Sequence, residues 1–272
     1  MKNADTALYR AKHEGRNTWV FYAREMNVAT FERLVLESQL RKAIDGGQLR
    51  AYFQPKVRLS DGGLAGAEAL VRWLHPDHGL IPPGRFIPVA EASDLIVDLG
   101  DWMLAEVCRQ LVVWRGAGLP PLTVAVNLAA RHFRDPGFIE RIERLLAAHG
   151  LPAQALELEL TESSLLETGA RTAETFLALR RLGLGLAIDD FGAGYSNLGY
   201  LKRLPLTALK IAQSFVRDLV TDPDDRTIAA TIVALGHGLG LKVVAEGVET
   251  EEQRRILFDQ GCDWAQGYLF DP

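Results

Sequence analysis

The sequence predicts an α/β protein whose strands close into a barrel, and three observations support this fold class. Residues 49–59 alternate strictly between apolar and polar side chains, which is typical of a strand with two different faces. The turn "SDGG" then leads straight into a second strand at 64–73, and this leaves no room for a crossover helix, so the pair should be antiparallel. Beyond this hairpin, short apolar strands alternate with amphipathic helical segments, which implies a parallel sheet.

Six further strands are predicted, at 122–128, 156–161, 184–189, 208–212, 242–246 and 264–269. Segments with helical periodicity, such as "PGFIERIERLLAAHG" and "DRTIAATIVALGHGLG", lie between them. Eight strands within ~220 residues favour a closed α/β barrel over an open doubly wound sheet, which stays the structural alternative.

The first residues predict a helix at 4–14 and a short strand at 18–22. Because one helix and one strand cannot bury a core alone, these residues are expected to end a domain whose main body precedes them. A connecting helix is predicted at 29–44, and Gly46 and Gly47 are expected to stop it.

Composition excludes several classes of function. The net charge of −5 gives no electrostatic footprint for a DNA or RNA polymer, so local cations would have to meet an anionic substrate. Two cysteines, Cys108 and Cys262, are too few for a disulfide framework or a thiolate zinc site, and they fit a reducing compartment. Without a signal peptide or an apolar run of ~18 residues, the chain is expected to be cytoplasmic and free of membrane contact. Any membrane attachment of a longer protein would lie outside these residues.

Polar side chains end the predicted strands from the second onward. They are Glu68, Asn127, Glu159 with Glu162, Asp189 with Asp190, Lys210, Glu246 and Gln266. A single polar residue at a strand end is most simply solvated or a helix cap. As a set, these residues would meet at the carboxyl ends of the barrel strands, where barrel enzymes place their active sites. Carboxylates with an amide oxygen, and without His or Cys, are ligands for hard cations such as Mg²⁺ or Mn²⁺.

The adjacent Asp189 and Asp190 raise a question, because two like charges ~4 Å apart repel each other. One of them could simply cap a turn. The alternative is that they share two cations ~3.5–4 Å apart, the arrangement used for in-line displacement at phosphorus. Lys210 would then either neutralise surplus carboxylate or orient the attacking water, and Glu246 could accept the proton of that water. The glycines that follow Asp190 indicate either a mobile loop over the metals or plain turns.

Histidines form no obvious ligand set. His75 and His78, in "WLHPDHG", are close in sequence but have no third partner, so both are predicted to be loop residues.

The sequence resembles the EAL-domain family of bacterial cyclic di-GMP phosphodiesterases. The resemblance covers roughly residues 33–272 and is carried, in order, by "FQPKV", "AEALVRW", "FIPVAE", "VNLA", "LELTES", "DDFGAGYSNLGYL", "LKI", "AEGVE" and "QGY". Residues 4–22 resemble the closing helix and strand of a GGDEF diguanylate cyclase domain. The resemblance therefore implies a GGDEF remnant and linker at 1–28 and an EAL phosphodiesterase domain at 29–272.

The resemblance also implies a modified TIM (β/α)8 barrel with one antiparallel strand, and hydrolysis of cyclic di-GMP to linear pGpG with two Mg²⁺ or Mn²⁺ ions. The implied metal ligands are Glu68, Asn127, Glu159, Asp189 and Asp190. The implied catalytic residues are Glu68, Asp189, Lys210 and Glu246, while Glu162 would brace the loop after Asp190. The implied nucleotide-binding residues are Gln54, Leu70, Arg72, Pro88, Glu91 and Gln266.

One departure from the family pattern concerns the residue two positions after Lys210. The family commonly has Asp there, in "LKID", whereas this chain has Ala212. Because the implied metal ligands are intact, we expect retuned or reduced turnover and not a dead site.

Two other functions compete with catalysis: a silent receptor that binds cyclic di-GMP, and a scaffold barrel that binds no nucleotide. Complete ligands and an intact "DDFGAGYSNL" favour the enzyme over both. The resemblance also implies a homodimer through the segments around 191–203 and 213–220.

Overall fold

The computed structural model describes residues 24–166, 170–194 and 198–271. They form two compact units: a smaller one of residues up to Arg50 together with 72–99, and a larger one of 51–71 and 100 onward. The expected helix at 4–14 and strand at 18–22 lie outside the described residues. Within the described ranges, no helix combines the length and the apolar character that crossing a bilayer requires.

The described residues contain nine strands in one sheet. They are β1 (Leu49–Arg58), β2 (Leu64–His75), β3 (Gly79–Ile81), β4 (Val124–Asn127), β5 (Leu156–Thr161), β6 (Gly185–Phe191), β7 (Ala208–Ile211), β8 (Lys242–Ala245) and β9 (Trp264–Ala265). Their order is β1-β9-β8-β7-β6-β5-β4-β2-β3, and β1 also pairs with β2. Eight strands therefore close a ring, with β3 beside β2. This confirms the closed barrel and excludes the open sheet.

Strand direction confirms the predicted hairpin. β1 is antiparallel to β9, whereas the neighbouring pairs from β2–β4 through to β8–β9 are parallel. The tight turn after β1, in which Arg58 N donates to Gly63 O at 2.8 Å, reverses the chain before β2. β1 is thus the one antiparallel strand of the barrel, and the carboxyl ends of the other seven face the same way.

In the described residues, a long helix precedes β1 along the chain, and further helices lie between successive strands. Their bounds are α1 (Arg24–Asp45), α2 (Pro83–Glu91), α3 (Leu95–Gly116), α4 (Ala130–Arg134), α5 (Phe138–His149), α6 (Glu162–Leu166), α7 (Ala170–Leu182), α8 (Leu198–Leu201), α9 (Gln213–Arg217), α10 (Pro223–Gly238) and α11 (Glu251–Asp259). α1 begins earlier than the predicted 29–44 and ends, as predicted, just before Gly46.

The two faces of each barrel strand have different environments. In β5, "LELELT", the leucines belong to the hydrophobic core of the larger unit, while Glu157 and Glu159 accept hydrogen bonds from Lys56 of β1. In β1, the apolar face packs outward, with Phe53 edge-to-face against Trp114 of α3 at 4.8 Å between ring centroids. The polar face of β1 is therefore the one that points into the barrel, since Lys56 is only 3% exposed.

The last strand is shorter than predicted. β9 stops at Ala265, although the apolar pattern extends to 269. Gly267 explains the stop, because it has a φ of 150° and a Cβ there would lie 2.3 Å from the backbone of Val248. The chain turns at this glycine, and Leu269 N donates to Val248 O instead of continuing the sheet.

The smaller unit has its own buried contacts. Trp73 and Phe86 are fully buried and meet edge-to-face at 5.7 Å, and Trp73 Nε1 donates to Gln48 Oε1 at 3.0 Å. His75 differs from its prediction as a loop residue, because it ends β2 and is buried. Its Nδ1 accepts the backbone N–H groups of Asp77 and His78, so it caps the turn before β3.

Candidate metal centre and active site

Lys210 lies at the centre of an acidic cluster inside the barrel. Its side chain has no exposed surface, and it comes from β7, in the middle of the parallel strands. Its Nζ is surrounded by four carboxylates: Glu159 at 2.7 Å, Glu246 at 2.7 Å, Glu68 at 3.0 Å and Asp189 at 3.1 Å. These come from β5, the residue after β8, β2 and β6, so the predicted convergence of strand ends is present.

The cluster keeps Lys210 charged. Burial on its own lowers the pKa of Lys210, but the carboxylates, with Glu159 and Glu246 the strongest, outweigh it and raise this pKa well above the ordinary value. Burial also raises the pKa of Glu246 well above its ordinary value, and nearby Asp189 adds to this. Glu246 is therefore a carboxylate with a strong tendency to hold a proton when no cation is near.

Two amides hold Glu68 in place. Asn127 Nδ2 donates to Glu68 Oε1 at 2.6 Å, and Gln266 Nε2 donates to Glu68 Oε2 at 2.5 Å and to Glu246 Oε1 at 2.9 Å. Burial works against ionisation of Glu68, but Lys210, Lys56 and Gln266 lower its pKa to about 2. The Oε1 of Gln266 is buried and has no hydrogen-bond partner among the described residues, so it can accept from water or a ligand.

A β-bulge brings Asp189 and Asp190 to the same site. Asp190 has a φ of 53°, and it is the one non-glycine residue with positive φ in the described ranges. Both aspartates lie opposite Lys210, because the register of β6 against β7 shifts between the pairs Ile188–Leu209 and Phe191–Ile211. Without this turn of the backbone, consecutive side chains would point to opposite faces of the strand. Asp190 is exposed, and partial desolvation of its carboxylate, followed by the charge of Asp189, raises its pKa.

The donor set fits divalent cations. Carboxylate oxygens of Glu68, Glu159 and Asp189 lie within 4.8 Å of one another, and so do those of Asp189, Asp190 and Glu246. Asp189 belongs to both groups, as a bridging ligand would. When all are ionised, the five carboxylates of these two groups and the ammonium group of Lys210 carry an excess of four negative charges, which two divalent cations would balance. All of these donors are oxygens, and oxygen ligands favour hard cations.

A hydrogen bond joins the loop after Asp190 to the start of α6. Glu162, the first residue of α6, is buried, and its Oε2 accepts the N–H of Gly192 at 2.9 Å. This is the contact expected of a residue that braces the loop. Residues 195–197 of the loop lie outside the described residues.

Ala212 is the N-cap residue of α9 and is 2% exposed. No side-chain hydrogen bond caps this helix, since Ala has neither a donor nor an acceptor. The family resemblance leads us to expect a carboxylate at this position, two residues after Lys210, and Ala212 does not provide one.

Sequence reasoning missed two charged residues of the barrel interior. Lys56 Nζ donates to Glu157 Oε1 at 2.9 Å and to Glu159 Oε1 at 2.8 Å. The signal was present, because Glu157 and Glu159 alternate with leucines in β5 and Lys56 lies on the polar face of β1. If the polar face of β1 is taken to be exposed to solvent, the contact between Lys56 and the two glutamates of β5 is not predicted.

The residues implied for nucleotide binding lie in both units. Gln54 and Leu70 are half-buried in the larger unit, on β1 and β2. Leu70 follows Glu68 by two residues and so shares its face of the strand. Arg72 is half-buried in the smaller unit, where Pro88 and Glu91 are exposed residues of α2.

Comparison with known proteins identifies the family. The model of the EAL domain matches residues 37–272 of this chain. The chain belongs to the EAL domain family. Its sequence is 46% identical, over 269 residues, to the bifunctional diguanylate cyclase/cyclic di-GMP phosphodiesterase MucR of Pseudomonas aeruginosa, covering 99% of this chain and 39% of MucR. It is 44% identical, over 270 residues, to the cyclic di-GMP phosphodiesterase NbdA of the same organism, covering 99% of this chain and 34% of NbdA.

A solved structure agrees with these sequence relatives. The EAL domain described above superposes on the PaMucR phosphodiesterase in complex with c-di-GMP with a TM-score of 0.83 and 45% identity, over 88% of this chain and 96% of that one. This confirms the predicted barrel. The chain spans less than two-fifths of the length of either curated relative, so it corresponds to one part of such proteins.

Proposed function

We propose that this EAL domain hydrolyses one phosphodiester bond of cyclic di-GMP to give linear pGpG, with two divalent cations. The observation that carries the proposal is the oxygen-only cluster around Lys210, with its excess of four negative charges and its shared Asp189. Two similar proteins are named cyclic di-GMP phosphodiesterases, and the similar solved structure is a c-di-GMP complex.

The proposed metal ligands are Glu68, Asn127, Glu159, Asp189 and Asp190. We propose Mg²⁺ or Mn²⁺ as the cations, because small hard ions suit a compact set of carboxylates. When bound, such a pair supplies an activated water and neutralises charge on the phosphoryl oxygens.

Glu246 and Lys210 are the proposed groups that handle the proton and the charge. Glu246 Oε1 is held by Lys210 Nζ at 2.7 Å and by Gln266 Nε2 at 2.9 Å, which fixes this carboxylate as a proton acceptor. As water attacks phosphorus, its proton passes to Glu246, the bond from phosphorus to the leaving ribose oxygen breaks, and that oxygen takes a proton from solvent water. The buried ammonium of Lys210 stabilises the negative charge that develops.

The substrate is proposed to lie against Gln54, Leu70, Arg72, Pro88 and Glu91. Arg72 suits a phosphate, because a guanidinium forms paired hydrogen bonds to phosphate oxygens. Gln266 completes the site through its buried, unpartnered Oε1.

The wider context is also a proposal. Residues 1–28 would be the end of a GGDEF domain and a linker, and the protein would act in the cytoplasm. It would form a homodimer through the segments around 191–203 and 213–220. Sedimentation velocity tests the dimer, and a fully active protein that sediments as a monomer at high concentration would contradict it.

The decisive experiment incubates the protein with cyclic di-GMP and Mg²⁺ and follows pGpG by chromatography. We expect pGpG to accumulate, to stop with EDTA, and to fall strongly in Glu246→Gln. The alternative is a silent receptor that binds cyclic di-GMP without hydrolysing it. Cyclic di-GMP binding without pGpG would establish that alternative, and no binding at all would contradict both.

A further inference from the structure

A column of alternating charges runs through the interior of the barrel. Glu157 contacts Lys56, Lys56 contacts Glu159, and Glu159 contacts Lys210, at 2.9, 2.8 and 2.7 Å. All four residues are buried, with at most 6% of their surface exposed. The interior of such barrels is ordinarily filled by branched apolar side chains, so a column of buried charges departs from the usual packing.

The geometry divides the two oxygens of Glu159 between two lysines. Oε1 accepts from Lys56 Nζ, and Oε2 accepts from Lys210 Nζ. Lys56 belongs to β1, which is not a neighbour of β5 in the sheet order, so its side chain reaches across the interior of the barrel. Glu157, two residues before Glu159 on the same face of β5, holds the ammonium group of Lys56 from the other side.

We propose that Lys56 is a positioning residue for the metal centre. By holding Oε1 of Glu159, it fixes the orientation in which this carboxylate meets Lys210 and a cation. The proposal rests on the proposed function, since Glu159 is one of the proposed ligands. Among the proposed ligands, Lys56 contacts Glu159 directly, and its charge also acts on Glu68. Partners of this kind, one step removed from a metal, typically change metal affinity by about 10–100-fold.

A purely structural role would give a different result. Lys56 and Glu157 form a neutral pair, so Lys56 could serve only to balance Glu157. In that case, removing both charges together would restore a normal site, whereas removing Lys56 alone would leave a buried carboxylate without a partner. The double variant therefore separates the two roles.

The experiment compares the wild type with Glu157→Gln, Lys56→Met and the double variant Lys56→Met/Glu157→Gln. Thermal unfolding in EDTA measures the fold, and calorimetric titration with Mn²⁺ alone, without nucleotide, measures the metal site. We expect Glu157→Gln to bind Mn²⁺ as the wild type does. We expect the double variant to unfold near the wild-type temperature but to bind Mn²⁺ about tenfold to a hundredfold more weakly. The KM for cyclic di-GMP at saturating Mn²⁺ should stay within twofold.

Wild-type Mn²⁺ affinity in a folded double variant would overturn the proposal. If the double variant does not fold, Lys56→Arg replaces it, because the charge is kept while the donor reaches Glu159 differently. Weaker Mn²⁺ binding by a folded Lys56→Arg supports positioning, and binding within twofold of the wild type contradicts it. A wild type that binds Mn²⁺ but releases no pGpG would overturn the proposed function and leave this inference standing. A wild type that binds no Mn²⁺ would overturn both.

Discussion

Asp189 and Asp190 are consecutive residues of β6, yet their carboxylates belong to one acidic cluster. The relationship depends on the backbone of Asp190, whose φ of 53° turns the strand where both residues face Lys210. The N–H of Asp190 donates to Asp189 Oδ1 at 3.0 Å, which stabilises this local turn. The fold thus holds two carboxylates close together although they repel each other, and the single charge of Lys210 offsets only part of this repulsion.

Substitution of Asp190 should separate its backbone role from its charge. Asn tolerates positive φ nearly as well as Asp, whereas Ala in this conformation is less stable by about 1 kcal/mol. In EDTA we expect Asp190→Asn to unfold in urea like the wild type or later, and Asp190→Ala to unfold earlier. Both variants should lose Mn²⁺ affinity and pGpG release.

The Asn variant is the matched control for the backbone. If Asp190→Asn binds Mn²⁺ as tightly as the wild type, Asp190 is not a ligand. If Asp190→Ala and Asp190→Asn are equally stable, the side chain at position 190 does not relieve strain in the left-handed backbone.

The metal-free protein should lose stability as the pH rises from about 4.5 to about 7. Complete burial raises the pKa of Glu159 from its ordinary 4.5 to about 7, although Lys210 and Lys56 oppose the shift. Between these values the folded state keeps a proton that the unfolded state has lost, so the free energy of unfolding falls with pH. The raised pKa of Glu246 acts in the same direction. A rise of this size corresponds to roughly 3 kcal/mol.

Melting temperature in EDTA from pH 4.5 to 7.5 checks this trend. Saturating Mn²⁺ is the control, because a bound cation favours the ionised carboxylates and should remove the decline. Glu68 does not interfere, because its pKa is lowered to about 2 and its contribution is lost only as the pH falls below about 4.5. A metal-free melting temperature that rises between pH 4.5 and 7 would contradict the prediction.

Cation identity should matter for the rate. The two carboxylate groups that share Asp189 form a compact set of oxygen ligands, and Mg²⁺ binds such oxygens at short distances in near-ideal octahedral geometry. Mg²⁺ and Mn²⁺ should support hydrolysis, whereas Ca²⁺, with longer bonds and looser geometry, should support it poorly. Initial rates of pGpG release at equal, saturating concentrations of each cation measure this, and equal rates with Ca²⁺ would contradict it.

Much of this site could be predicted from the sequence, because barrel topology converts strand ends into a shared edge. Glu159 and Asp189 lie near the carboxyl ends of recognisable strands and Glu68 lies within β2, and a parallel barrel brings all three to Lys210 whatever the loops do. The bulge at Asp190 was not predicted, since a left-handed backbone at a non-glycine residue leaves no periodic signal.

The features that were not predicted correctly from the sequence share a physical cause. β3 is only three residues long and too short for any pattern, and β9 ends at the turn of Gly267 although its sequence remains apolar. Lys56 was missed because alternation in a strand shows that two faces differ without showing which one is inside. Closure of the barrel decides that question, and closure is a property of all eight strands together.

Glu68→Ala should reduce pGpG release by about a hundredfold or more, because no other side chain can take its coordination position. Glu68 also accepts hydrogen bonds from Asn127, Gln266 and Lys210, so its removal leaves Asn127 without that acceptor. Cyclic di-GMP affinity should weaken less than turnover, because Arg72 is unchanged. Near-normal hydrolysis would remove Glu68 from the site, and collapse of the fold would assign it a structural role.

Ala212→Asp should raise the kcat for hydrolysis, and Ala212→Asn is its matched control. The N-cap of α9 has no side-chain acceptor, and Asp and Asn both supply one, which is typically worth about 1 kcal/mol to a helix terminus. Only Asp adds a negative charge two residues from Lys210, where the family commonly has one. Because Ala212 is 2% exposed, the new side chain must also find room, and melting temperature reports whether it does.

The kcat and melting temperature of these two variants identify which property limits hydrolysis when residue 212 is Ala. A gain in kcat with Asp alone shows that a charge near Lys210 was limiting, whereas equal gains with Asp and Asn show that a loosely capped α9 was limiting. The receptor alternative makes its own prediction, since a domain silenced by Ala212 should gain hydrolysis from Asp and show none before it. If neither folded variant changes kcat, the departure at this position does not retune the enzyme. The intact carboxylates around Lys210 would then set turnover by themselves.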